Sequence, residues 1–172
     1  MDPVIHNGQP APDFTLSDLN GRSLSLTSCR GIVVVLNFWS AECPHAERAS
    51  QDMNEYLKAW GDSVVSLNVS SNANESPEML QQAAAAQGLA RVLLDPDHIV
   101  ADLYGAETTP HVFVIDREGI LRYQGAFDDV TFRQRTATHH YLRSAVDSVL
   151  GGRQPDPAQT LPYGCAIVRF LP

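Results

Sequence analysis

Five consecutive branched apolar residues, Ile32-Val33-Val34-Val35-Leu36, leave no polar face to turn toward water. A surface helix interrupts such a run with polar positions. A strand covered on both faces does not, and sheets flanked by helices on both sides are where such strands occur. The run continues through Phe38-Trp39-Ser40-Ala41-Glu42 into Cys43-Pro44, and proline is favoured at the first position of a helix. Beyond it, Ala46, Ala49, Met53, Tyr56, Leu57 and Trp60 recur near helical spacing. The chain is thus anchored on a buried strand that hands a cysteine to a helix start.

Other elements fall into place around this unit. Phe14-Thr-Leu16 and Ser23-Leu-Ser-Leu26, separated by Asn20-Gly21, read as a β-hairpin. Val64 to Val69 is a second apolar strand, followed by a polar loop to Ser76 and a helix opened by Ser76-Pro77-Glu78 that runs to Gly88. Arg91 to Leu94 reads as a strand and Asp97 to Tyr104 as a short helix stopped by Gly105. His111–Ile115 and Ile120–Gln124 flank Asp116-Arg-Glu-Gly119 as a hairpin, and a last helix is expected over Thr138 to Leu150. Residues 151–172 carry four prolines and no periodicity, and are expected to lie as a tail over a domain formed by residues 1–150. Parallel strands joined by helices, with an antiparallel hairpin at the edge, give an α/β sandwich.

Composition removes several function classes. A net charge of −8 provides no basic stripe for nucleic acid and disfavours an anionic membrane surface. No apolar stretch approaches the roughly 18–20 residues that span a bilayer, and residues 1–8 have neither a basic nor an apolar leader segment, so a cytoplasmic chain is expected. His6, His98, His111, His139 and His140 show no metal-ligand spacing with cysteines or carboxylates, so no metal site and no cofactor is expected. Neither a phosphate-binding glycine loop nor a Ser-His-Asp arrangement is evident.

What remains is sulfur chemistry. The three cysteines, 29, 43 and 165, are too few and scattered for a secreted disulfide framework. At a helix start, unpaired N–H groups and the positive end of the macrodipole favour a thiolate, which makes Cys43 the candidate nucleophile. A protonated His45 would add to this, and Glu42 would oppose it. Ser40 is a candidate hydrogen-bond partner near the sulfur, and Trp39 is expected to shield one side of it while packing in the core.

These residues resemble a known family. Gln9-Pro-Ala-Pro-Asp-Phe-Thr-Leu16, Asp18-Leu-Asn-Gly21, Val35-Leu-Asn-Phe-Trp39 and Cys43-Pro44 are similar to the redoxin (AhpC/TSA, peroxiredoxin-like) branch of the thioredoxin superfamily. The resemblance implies a thioredoxin fold: a central mixed β-sheet flanked by helices, with an N-terminal hairpin extension. It also implies that Thr109-Pro110 is the cis-proline loop beside the active-site sulfur, with Pro110 shaping the contact face and Thr109 and His111 lining it. For His111 an exposed strand-end position is the ordinary reading. Tyr104-Gly-Ala106, Tyr123-Gln-Gly125, Asp128-Asp129 and Tyr163-Gly-Cys165-Ala-Ile167 resemble a peroxiredoxin-like subgroup whose active site reads Cys-x-x-Cys-Pro and whose tail closes on Gly-Cys. Ser40 stands at the first of those cysteines and Cys43 at the second.

The departures matter as much. In a thioredoxin Cys-x-x-Cys motif the position that resolves the mixed disulfide would be Ala46, and the buried aspartate of the preceding strand would be Asn37. Against the peroxiredoxin pattern Ser40 fits, but Leu36 replaces a proline and Pro110 falls where the active-site arginine belongs. Cys29 lies before the Ile32–Leu36 strand and Cys43 after it, roughly 20 Å away, far beyond disulfide reach. Cys165 on the tail meets no such bar; it resolves Cys43 or packs as a small apolar residue, and a small thiol such as glutathione acting in trans is the further option. The expectation is therefore a thiol-dependent oxidoreductase working through a single active-site cysteine, exchanging with protein or small-molecule thiols and disulfides such as glutathione or thioredoxin. A peroxiredoxin-like peroxidase acting on peroxides and a non-catalytic thioredoxin-fold binding module are the alternatives.

Overall fold

A computed structural model describes residues 5–171. The apolar run forms the centre of a sheet. Strand β3 (Val33–Phe38) is buried along its whole length and lies between β4 (Val64–Ser70), to which it runs parallel, and β7 (His111–Ile115), to which it runs antiparallel. With β1 (Thr15–Asp18), β2 (Ser23–Ser25), β5 (Val92–Leu94) and β8 (Leu121–Gly125), the order across the sheet is β2-β1-β5-β4-β3-β7-β8. The N-terminal hairpin joins this sheet through an antiparallel pairing of β1 with β5. This is the mixed sheet of the thioredoxin fold.

Strand alternation sorts the side chains into two layers. Val33, Val35, Val112 and Val114 face helices α1 (Pro44–Trp60) and α4 (Tyr141–Leu150), packing with Ala49, Met53, Leu142 and Val146. Val34, Leu36, Phe38, Phe113 and Ile115 face the other way, onto Tyr104 of α3 (Ile99–Tyr104). Helix α2 (Pro77–Gln87) is capped by the Ser76 hydroxyl, which accepts from Met79 N–H at 3.3 Å, and ends at Gly88 in the left-handed region (φ 67°). Among the described residues no helix is long and apolar enough to cross a membrane.

Two helix starts differ from the sequence expectation, each because an aspartate captures the backbone. The Asp95 carboxylate accepts from Val100 and Ala101 N–H at 3.1 and 2.9 Å, so α3 starts at Ile99. Asp129 accepts from Thr138 N–H at 2.8 Å and also binds its hydroxyl, which keeps Thr138 in the loop and starts α4 at Tyr141. The tail carries one short strand, β9 (Cys165–Ala166), which pairs antiparallel with β6 (Thr108–Thr109).

Candidate active site

Strand β3 delivers Trp39 to the end of the sheet, and the turn that follows places Cys43 as the N-cap of α1, with Pro44 at its first position. Glu47 N–H donates to the Cys43 carbonyl at 3.0 Å, closing the first helical turn. Trp39 is fully buried and packs with Cys43, Ala46, Leu80 and Ala84; its indole N–H donates to Gln87 Oε1 at 3.0 Å. Cys43 is only 2% exposed.

Opposite Cys43 stands the β6–β7 turn. The Thr109–Pro110 bond is cis, both residues are buried, and the Thr109 carbonyl oxygen lies 3.1 Å from Cys43 Sγ. That contact becomes a hydrogen bond whenever the sulfur carries a proton. The same carbonyl works against a thiolate, whereas the free N–H groups at the start of α1 work for one.

The tail completes the enclosure. Cys165 pairs with Thr109 across β9 and β6, and its sulfur is joined to Cys43 in a disulfide with Cα atoms 6.1 Å apart. Of the fates left open for Cys165, bonding to Cys43 is the one observed, so the expected single cysteine is one half of a bonded pair. Gly164 makes this approach possible: a Cβ there would press on the Thr109 carbonyl oxygen and stand 3.1 Å from Pro110 N. The tail is held on either side of Cys165. Before it, Tyr163 sets its ring edge-to-face with His45 at 5.2 Å and its hydroxyl accepts from Phe132 N–H at 2.9 Å. After it, Ile167 N–H donates to the Glu107 carbonyl at 3.1 Å, Val168 N–H donates to Asn72 Oδ1 at 2.7 Å, and the Val168 carbonyl accepts from Ala73 N–H at 2.7 Å.

The other expected site residues divide. His45 and Pro110 line one small recess with Arg48, Phe127, Asp128 and Tyr163. The Ser40 hydroxyl is turned to the Glu75 carboxylate, which also accepts from Glu42 N–H at 3.2 Å. Ser40 thus ties the turn before Cys43 to the loop after β4 instead of bonding to the sulfur. His111 is buried where a strand-end position suggested exposure. It pairs with Phe38 and shares the face of Phe113, stacking on that ring at 4.6 Å, in the layer opposite α1. Burial pushes its pKa down to about 4, and its Nδ1 accepts from Glu107 N–H at 3.2 Å. Cys29 is a free thiol beyond the far end of β3.

Sequence reasoning did not find Glu75 or Arg48. Asp128 has its side chain buried and receives two hydrogen bonds of 2.9 Å from the Arg48 guanidinium. The only signal available was its place in the Asp128-Asp129 motif of the resembled subgroup.

Comparison with known proteins agrees with this architecture. Thiol-disulfide oxidoreductase ResA of Geobacillus thermodenitrificans is 36% identical over 116 residues, 67% of this chain and 66% of that protein. Thioredoxin-like protein YneN of Bacillus subtilis is 32% identical over 121 residues, 69% of this chain and 70% of its own length. The chain therefore spans about two thirds of the length of these relatives. The crystal structure of the hypothetical protein SMc02350 from Sinorhizobium meliloti superposes with a TM-score of 0.86 at 30% identity, covering 97% of this chain and 96% of that one. A profile of the AhpC/TSA family matches residues 7–124, and the chain belongs to that family.

Proposed function

We propose that this chain is a thiol–disulfide oxidoreductase whose redox pair is Cys43 and Cys165. The observation that carries the reading is the disulfide between the N-cap of α1 and the tail strand, beside the Thr109–Pro110 turn. It supplies the second sulfur that Ala46 cannot. Partners are protein or small-molecule thiols and disulfides. A partner dithiol gives up two electrons and two protons, and the Cys43–Cys165 bond opens to two thiols; the reverse reaction reduces a partner disulfide. Cys43 is the sulfur that holds negative charge, attacking Cys165 when the bond closes and leaving when it opens. Pro44 starts the helix whose N–H groups receive that charge, Trp39 keeps water from one side, and Thr109 and Pro110 hold the tail strand against the sulfur. The names of the ResA relatives support the reaction class.

Turnover of a peptide dithiol by the oxidised protein, followed by mass spectrometry, tests the reading. Cys43→Ser and Cys165→Ser are expected to abolish turnover, and Cys29→Ser to leave it unchanged. Undiminished turnover in Cys165→Ser would return the chain to a one-cysteine mechanism resolved in trans.

A further inference from the structure

The two sulfurs of the pair are not equivalent. Cys43 is buried beneath Trp39, the Thr109 carbonyl and the tail itself, whereas Cys165 is partly exposed and followed by the exposed Ala166. Thiol–disulfide exchange needs the attacking thiolate to reach one sulfur and drive out the other as an anion, so access and leaving-group stability select the sulfur attacked. Access and the helix end point the same way here, against the opposing Thr109 carbonyl. Attack on Cys165 expels Cys43 at the N-cap of α1, where free N–H groups accept the charge. Attack on Cys43 would require a path through the packed tail and would expel Cys165 from a two-residue strand that offers no helix end.

Resting on the redox-pair reading, we infer that Cys165 is the outer sulfur through which partners exchange, and that Cys43 is the inner sulfur that closes the cycle. This reverses the roles expected from a helix-start cysteine. A partner thiolate bonds to Cys165 Sγ as the Cys43–Cys165 bond breaks, and the electron pair passes to Cys43. The partner's second thiol then attacks its own bonded sulfur. The partner leaves as a disulfide, the electron pair of the broken bond passes to Cys165, and both cysteines finish reduced. The hydrogen bonds on Ile167 and Val168 and the ring contact of Tyr163 hold Cys165 in register with Thr109 throughout. The tail therefore need not detach for the bond to close again.

The test uses the full chain in a Cys29→Ser background. Oxidised protein is exposed briefly to excess glutathione, quenched in acid, alkylated and mapped by peptide mass. Glutathione on Cys165 with alkylated Cys43 is the expected result. Glutathione on Cys43, or shared evenly between the two, would overturn the assignment. As a second measure, a bulky aromatic disulfide should react with Cys165 in Cys43→Ser about tenfold faster than with Cys43 in Cys165→Ser, since thiol reactivity follows access as well as thiolate content. Equal rates, or the reverse order, would count against it. A wild-type chain that never loses two hydrogens on oxidation would overturn the redox-pair reading and this assignment together, which sets that failure apart from an adduct on the wrong sulfur.

Discussion

Gly164 lies against the carbonyl of Thr109 so closely that a Cβ there would fall inside the 3.0 Å that real Cβ contacts keep. The obstacle is backbone, which has little room to yield, and it sits one residue before Cys165. Gly164→Ala is therefore expected to push β9 off β6 and carry the Cys165 sulfur out of reach of Cys43. Overpacking of this kind costs about 1–3 kcal/mol. Quantifying the Cys43–Cys165 disulfide by mass after mild oxidation checks this, and a variant that oxidises as fully as wild type would show that the tail has another way to approach.

The disulfide closes a loop with a sequence separation of 122 residues. On the chain-entropy argument a loop of that length removes up to roughly 5 kcal/mol of unfolded-state freedom. Urea unfolding with and without a phosphine reductant should show a lower midpoint for the reduced wild type. Cys165→Ser should unfold at that lower midpoint and be indifferent to reductant.

His111 gives the fold an acid-sensitive point. In the native state it is buried with its pKa pushed down to about 4, while the unfolded chain binds a proton near 6.5. Between those values the unfolded state takes up a proton that the native state refuses, so stability is complete above about pH 6.5 and falls as the pH drops toward 4. The loss is on the order of 3 kcal/mol at most. His111→Phe, which keeps a ring on Phe113, is expected to flatten the dependence of the urea midpoint between pH 7 and 4.5. An unchanged slope would mean that other groups carry it.

Arg48 and Asp128 form a pair in which the carboxylate is enclosed and the guanidinium is about one-third exposed. Removing the arginine leaves a charge whose one remaining hydrogen-bond donor among the described residues is the Val130 N–H. Full burial would make that cost about 3–5 kcal/mol, and the exposure of Arg48 reduces it to about 2–3 kcal/mol. Arg48→Met should lower the unfolding midpoint accordingly, and adding Asp128→Leu should recover part of the loss. If the double variant is no better than the single one, the carboxylate is not the source of the penalty.

How much of this was readable beforehand depends on how far apart the interacting residues lie. β3, the start of α1 and both hairpins were legible because each is written in a contiguous run: Ile32–Leu36, Cys43-Pro44, Asn20-Gly21 and Asp116–Gly119. The start of α4 was misplaced by a single side-chain capture across the preceding loop, that of Thr138 by Asp129. The burial of His111 depends on Phe38 being its partner across the sheet, which periodicity within β7 cannot reveal. Arg48 with Asp128, and Ser40 with Glu75, are polar residues whose local sequence reads as an ordinary helix face and an ordinary loop. Cys165 was visible as a candidate, but its pairing with Thr109 is a tertiary fact.

Where two cysteines stand a few residues apart, the dithiol exists in any segment that contains them, folded or not. Here the second sulfur arrives only when residue 165 is seated against residue 109, and closing so long a loop in a disordered chain is entropically expensive. On the redox-pair reading, electron exchange is therefore a property of the completed tertiary structure. A misfolded copy carries the same thiols without the seated pair, so its redox titration doubles as an assay of folding quality.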